Sequence, residues 1–331
     1  MTRHLPTRFQ TRLLPKLLLA LAAAAASPFV QAWTDKPVRM LVPAPAGGTM
    51  DIVARVLADQ LSADIGQPVI VDNKPGAGGG IAVQALMAAP ADGHTIMVTA
   101  SNVLTEIPLL MKTGFDPLKD VRPVATVARA GVVLVAGTAF PAQDLKGAIA
   151  YAKANPGKLS YASYSAGTSS HYAGAIFNQK AGLDLQHVPF QGSPPALVQV
   201  MGGQVALMFD GMATSLPQIK GGKLKAFGVG SKTRSVHLPD VPTMAELGYP
   251  DIDFTNWIGT VVAAGVPAAT VDKINAATLK AAASPKVRDR LAAAGFEPNT
   301  GLTSAQLAQS VKVDFDRNAA IIKTFNIQLN Q

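Results

Sequence analysis

Twice in this chain an apolar run turns through small residues into an amphipathic stretch. The first passage runs from Arg39 to Asp51 and turns at Ala46-Gly47-Gly48; the second runs from Leu159 to His171 and turns at Ser165-Ala166-Gly167-Thr168. A strand that enters a helix in this way leaves the first backbone amides of the helix without intrahelical acceptors, and the local dipole there favours an anion. Small residues let a guest approach the main chain. The pair predicts a small anion held between two lobes.

The rest of the mature chain repeats the same order. Val38–Val42, Pro68–Val71 and Thr95–Thr99 read as strands, separated by helical patterns at Met50–Ser62 and Ile81–Ala89. Val124–Val127 and Val132–Ala136 are expected as two strands on either side of Ala130-Gly131. Beyond them, Leu145–Ala154 and Ser169–Lys180 read as helices, and Ser160–Ala162, His187–Pro189, Val205–Phe209 and Lys225–Val229 as strands. Ser193 is expected to cap a helix opened by Pro194-Pro195. The tail is helical: Thr270 caps Val271–Ala282, Pro285 opens Lys286–Ala294, and Thr303 with Gln306 forms a capping box. Alternating strands and helices predict an α/β fold with parallel sheets covered on both faces. With no linker between halves, the expected division is residues 33–129 and 256–331 in one lobe and 130–255 in the other. The chain is expected to cross near Val127–Val132 and to return near Trp257–Val262.

Residues 1–32 read as a cleavable signal peptide. Arg3, Arg8, Arg12 and Lys16 precede the short apolar segment Leu17–Ala26, and Val30-Gln31-Ala32 fits the cleavage pattern, so Trp33 would begin the mature chain. The chain has 29 Lys and Arg against 21 Asp and Glu; without the leader, 25 bases face the same 21 acids. That mild excess, with no basic run, gives no reason to expect nucleic-acid binding. There is no cysteine, which excludes disulfides, thiolate–zinc sites, cysteine nucleophiles and a lipidated cysteine anchor. The five histidines form no ligand-spaced pair, so neither a metal nor a cofactor is expected.

Several side chains stand near the turns. Asp51 would complement the dipole of its helix, or order the preceding loop or a bridging water. His171 is either a satisfied structural residue or a cleft contact. Asp210, at the end of an apolar strand, would orient a loop or touch the ligand. Trp257 would fill the core between lobes or shelter the ligand. The turn Asn73–Gly80 superficially suggests a dinucleotide loop, but Ile81 stands where the third fingerprint glycine belongs, so it reads as a tight strand-to-helix turn. A serine with His171 or His187 and Asp210 would in principle make an exported hydrolase, yet no Gly-x-Ser-x-Gly elbow presents a nucleophile. No catalytic residue is expected.

The ordered motifs resemble the extracytoplasmic solute receptors of tripartite tricarboxylate transporters, the TctC or Bug family. They are Pro45 to Asp51, Asn73 to Gly79, Phe115-Asp116-Pro117, Asp120 to Val124, Ser163 to His171, Pro189 to Gly192, Arg234 with Leu238 to Thr243, and Trp257-x-Gly259. The resemblance implies a type II periplasmic-binding-protein fold, two lobes with a ligand cleft between them, acting as a monomer. It implies capture of a small organic carboxylate, by main-chain donors of the two turns, for membrane transporter subunits of the tripartite type or for a sensing pathway. Carried over, those turns are Ala46, Gly47 and Gly48 and Ser165, Ala166, Gly167 and Thr168; Asp51, Asn102, His171 and Asp210 join them as candidate binding residues from their place beside the turns and strand ends. Relatives often carry Asn-Pro after the third strand; here Ser101-Asn102-Val103-Leu104-Thr105 takes that place and the proline is delayed to Pro108. Valine at Gly47 is expected to abolish binding by blocking approach, and alanine at His171 only to weaken it.

Overall fold

A computed structural model describes Met1, residues 34–298 and residues 301–329. The expected cleavage site and the body of the leader lie outside the described residues. Strand β1 (Val38–Val42) leads into helix α1 (Thr49–Ile65), and β2 (Val69–Asn73) into α2 (Gly80–Met87) through a 3-10 turn at Ala77–Gly79. Strand β3 (Thr95–Ala100) leads into two one-turn helices, α3 (Asn102–Thr105) and α4 (Ile107–Leu110). β1 lies between β2 and β3, parallel to both.

The element that joins the two halves is β4 (Val121–Gly137), a single strand of 17 residues where two were expected. Its partners change in mid-course. Up to Gly131 it pairs with β9 (Thr255–Ala263), whereas from Val132 onward it pairs with β7 (Leu207–Gly211) and β8 (Leu224–Gly230). Ala130-Gly131 marks the exchange of partners without interrupting the strand. Between β4 and β8 the chain forms α5 (Leu145–Ala154), β5 (Leu159–Ser163), α6 (Ser169–Lys180), β6 (Leu185–Pro189), α7 (Ser193–Met201) and α8 (Met212–Lys220). The second half thus carries β4, β7, β5 and β6 in order, with β8 on the other side of β4. The first carries β2, β1, β3, β9 and β4, joined by β10 (Glu297–Pro298). The return to the first half comes at Thr255, which pairs with Gly131, and so precedes the apolar run at Trp257 that sequence periodicity singles out.

Helices cover both faces of each half. Val53, Leu57 and Leu61 of α1 pack with Ile274 of α9 (Ala268–Ala283) and Leu291 of α10 (Pro285–Ala293) on one face of the first sheet. Val83, Leu86, Val103 and Ile107 cover its other face together with Trp257, which is core and does not shelter the cleft. In the second half Tyr172, Phe177 and Phe209 form one cluster, and Leu197, Val200, Met212 and Leu216 the other. Each such side chain removed from water stabilises the fold by about 1.5–3 kcal/mol. The last helix, α11 (Ser304–Phe325), belongs to both halves: Leu307 and Val311 enter the first half's cluster, and Ile321, Ile322 and Phe325 pack on the second's. The placement of residues 256–331 wholly in one lobe fails at that point, because the apolar stripe of α11 is long enough to reach across.

Helix starts on the outer faces carry side-chain caps. Asp144 accepts from Gly147 at 2.7 Å, Ser284 from Val287 at 3.3 Å, and Thr303 with Gln306 completes the capping box. Thr270 does not cap α9, which starts two residues earlier behind Pro267. Ser193 is already the first residue of α7, and its hydroxyl points elsewhere.

Candidate functional site

A cleft of about 820 Å³, counting its open mouth, lies between the halves. The first half contributes Pro43, Ala44, Pro45, Gly48, Thr49, Met50, the Pro75–Gly79 turn and, beyond β3, Asn102, Val103 and Ile107. The second contributes Tyr164, Ser165, Thr168, Gln191, Gly192, Ser193 and Gly211. Ala130 to Val132, Asn256 and Ile258 close it where the chain crosses. None of the residues lining it carries a charge. The halves touch across it: a Cβ on Gly192 would lie 2.5 Å from the Pro45 ring, and one on Gly211 would lie 2.7 Å from the Thr49 hydroxyl.

The two glycine turns are built alike. Gly47 and Gly167 both take left-handed backbone, with φ of 76° and 74°. Each donates its amide to a side chain four residues on, Gly47 to Asp51 Oδ2 at 2.8 Å and Gly167 to His171 Nδ1 at 3.2 Å. In both, the next residue is extended and forms the helix N-cap without a side-chain cap bond. A Cβ on Gly47 would meet no protein atom within 4 Å, and valine there would also strain the left-handed backbone.

Asp51 is buried and faces away from the cleft. It also accepts from Arg55 Nε at 2.9 Å and from Asn73 Nδ2 at 2.9 Å, while Asn73 donates to the Ala44 carbonyl. Burial alone would raise its carboxyl, but the hydrogen bonds from Arg55, Gly47 and Asn73 outweigh it and hold the group below the usual carboxylate range. Asp51 therefore orders the loop. His171 is buried as well, with its ring stacked 4.0 Å from that of His187, which stacks in turn on Tyr161. Burial, and then the neighbouring His187, push His171 down to about 3, so at neutral pH it is the uncharged acceptor that the Gly167 amide needs.

The two helix starts differ in what stands beside them. At α1 the residues of the first turn, Thr49 and Met50, line the cleft and no side chain caps them. At α6 a side chain from the other half reaches the first turn. The Ser169 hydroxyl donates to the Glu106 carboxyl, at 2.6 and 2.8 Å from its two oxygens. Asn256 Nδ2 donates to the Ser169 hydroxyl at 2.7 Å, and Ser101 to Asn256 Oδ1 at 2.7 Å. Burial pushes Glu106 up to about 8, against the opposing pull of Ser169 and Arg317. The two helix starts thus have different neighbours: Thr49 and Met50 of the first turn of α1 line the cleft, whereas at α6 the Ser169 hydroxyl is taken by a buried carboxyl. Sequence reasoning gave no warning of Glu106, a single acid between Thr105 and Ile107 in a segment with no helical or strand period.

Asp210 is fully buried and accepts from Ser193 at 2.5 Å, Thr214 at 2.6 Å and Ser215 at 2.8 Å, all through hydroxyls. Burial raises its carboxyl and these bonds oppose the rise. It holds the starts of α7 and α8 together behind the cleft wall, and both of its carboxylate oxygens are engaged by hydroxyls. Of the expected binding residues, Gly48, Asn102, Ser165 and Thr168 line the cleft; Asp51, His171 and Asp210 are buried outside its lining, and Ala46, Gly47, Ala166 and Gly167 belong to the two turns without lining it. The Pro75–Gly79 turn, read only as a tight connection, also lines it. Among the described residues no group of His, Cys, Asp and Glu is placed to hold a metal.

The model of the tripartite tricarboxylate transporter family receptor matches residues 53–327. Protein BugT of Bordetella pertussis is 35% identical over 292 residues, spanning 87% of this chain and 90% of that protein. The solved periplasmic binding protein BugD superposes with a TM-score of 0.85 at 33% identity, over 89% of this chain and 99% of its own. MatC from Rhodopseudomonas palustris, solved with bound malate, gives 0.82 at 32% identity, over 87% and 99%. The two-sheet architecture is that of periplasmic binding proteins. In sequence and in fold alike, this chain belongs to the tripartite tricarboxylate transporter receptor family and is a solute receptor.

Proposed function

We propose that the cleft captures a small organic carboxylate, seated on the open start of α1, and that the exported protein presents it in the periplasm to membrane subunits of a tripartite transporter. The observation that carries this reading is the absence of charge from the cleft lining beside an uncapped helix start. Main-chain amides there offer charge-assisted hydrogen bonds worth about 1.5–3 kcal/mol each, without an arginine. Gly48 lets the guest approach the main chain, and the left-handed Gly47, held by Asp51, sets the direction of the turn. Tyr164, Ser165, Thr168 and Asn102 face the rest of the guest from around the cleft. The malate held by MatC is a guest of the same chemical kind.

Contacts across the cleft at Pro45–Gly192 and Thr49–Gly211 form only when the halves are close. A guest that touches both halves therefore stabilises the closed arrangement, and a partner that reads closure responds to the guest. The reading is tested by calorimetry on protein stripped of carried-over ligand by unfolding and refolding. Carboxylates are expected to bind where the matching amides and alcohols do not; equal binding of the uncharged analogues contradicts it.

A further inference from the structure

We infer that a charged groove on the far side of the crossing strands is an electrostatic latch: it holds the guest-free receptor open, and a guest must release it to close the cleft.

The groove is the cleft's counterpart on the other face of the strands that join the halves. Side chains of β4 and β9 alternate between those faces, and Arg129 stands opposite Trp257, Ala130 opposite Asn256 and Gly131 opposite Thr255. Asn256 and Ile258 line the cleft, whereas Thr255 and Trp257 line a second cavity of about 1030 Å³, counting its open mouth. Ala130, Gly131 and Val132 border both. The two cavities thus share a wall one strand pair thick, at the point where β4 exchanges partners. Each is lined by both halves, so a rotation about that wall that opens the cleft narrows the groove.

The two linings are opposite in kind. No residue lining the cleft is charged, but six lining the groove are. Arg129, Glu297, Asp314 and Arg317 stand on the first half, where Asn318 ties α11 down by donating to the Thr105 carbonyl at 3.1 Å. Lys232 and Asp253 stand on the second half, in a segment whose Phe254 amide bonds the Gly230 carbonyl at 3.0 Å and whose Ile252 enters that half's core. Both halves therefore carry both signs. With the cleft closed enough for Gly192 to meet the Pro45 ring, no ion pair crosses the groove among the described residues. Arg317 and Asp314 pair along their own helix at 3.7 Å, and Lys232, Asp253 and Glu297 have no ion-pair partner.

Opening brings opposite charges together. Lys232 moves towards Glu297 and Asp314, and Asp253 towards Arg129 and Arg317. Their attraction grows as the separation falls, and salt screens it. A guest that closes the cleft pulls these charges apart, so its apparent affinity is lowered by the fraction of receptor that the latch keeps open.

The experiment reads the opening itself. The chain has no cysteine, so spin labels attach only where one is introduced, at Ile81→Cys on α2 and Val198→Cys on α7, both exposed and on opposite halves. Double electron–electron resonance measures the distance between them in refolded, guest-free protein. At about 20 mM NaCl the protein with its latch charges intact is expected to favour the longer distance, and Lys232→Ala with Asp253→Ala to move it towards the shorter one. About 500 mM NaCl is expected to cause the same move without those substitutions. By calorimetry, hexanoate is expected to bind the alanine variant about 3- to 10-fold more tightly at low salt, and both proteins equally at high salt. Distances that neither the substitutions nor salt shorten overturn the latch, and so do equal hexanoate affinities at low salt. Failure of both proteins to bind hexanoate counts against the carboxylate reading alone, and the distances still decide the latch.

Discussion

The starts of α1 and α6 are two copies of one local design with different neighbours. In each, a left-handed glycine donates its amide to the side chain four residues on, and an extended residue opens the helix. In the first half that side chain is Asp51, a charged acceptor tied to Arg55 and Asn73, and the helix start opens on the cleft. In the second it is His171, a neutral ring in a stack, and a carboxyl reaching over from the other half holds the Ser169 hydroxyl of the first turn. Local sequence builds the donor set, and tertiary neighbours decide what it holds. The outer helices α5, α10 and α11 show the ordinary solution, a side chain from the chain's own turn.

The largest effect that would sharpen this contrast is on stability. Glu106→Ala leaves the Ser169 hydroxyl without its acceptor and opens a cavity between the halves. It is expected to cost about 2–4 kcal/mol in urea unfolding. Thr49→Pro makes the reverse case. Proline is accommodated at the first position of a helix, so stability should hold, but one amide facing the cleft is lost. Carboxylate affinity should fall by about 1.5–3 kcal/mol, roughly 10- to 100-fold by calorimetry. If stability falls and affinity does not, the α1 start is structural and the comparison collapses.

Acidity separates the sites next. The folded Glu106 titrates near 8, above its ordinary 4.5. Between those values the unfolded chain releases a proton that the folded chain keeps, so this group's stability is full below about 4.5 and is lost as pH rises towards 8. The slope is at most about 1.4 kcal/mol per pH unit. Thermal unfolding of the wild type should show that decline relative to Glu106→Gln; parallel curves would mean the carboxyl is not held neutral. A smaller effect comes from Gly211→Ala. Its backbone tolerates a side chain, yet the new methyl meets the Thr49 hydroxyl across the cleft, so closure should weaken and affinity drop by about 1 kcal/mol. Arg55→Ala should matter least: the arginine is exposed, and Asp51 keeps its bonds from Gly47 and Asn73. A stability loss under about 1 kcal/mol is expected by urea unfolding.

The order of strands and helices was legible because the apolar periods of Val38–Val42, Val53–Leu61 and Leu145–Ala154 are strong and the turns between them glycine-marked. The unbroken β4 was not. Ala130 and Gly131 look like a turn, and the partners that keep them extended, Asn256 and Thr255, are distant in sequence. At the site, Gly48, Asn102, Ser165 and Thr168 could be found because each lies at or just beyond a strand's carboxyl end. Asp51, His171 and Asp210 were drawn to the cleft by their chemistry, and the structure turns them to supporting the turns from behind. Which way such a side chain faces depends on a burial pattern that helix period alone does not resolve. Glu106 was invisible because its partners Ser169 and Tyr172 lie more than sixty residues away.

The most direct measurement follows the backbone amides themselves in a ¹⁵N–¹H correlation spectrum as hexanoate is added to the refolded protein. The Thr49 and Met50 amides should move strongly downfield as they bond to the incoming carboxylate, while those of Ser169 and Ser170, which do not line the cleft, stay in place. Large shifts at Ser169 and Ser170, with Thr49 and Met50 unmoved, would contradict the assignment of the open seat to the first half.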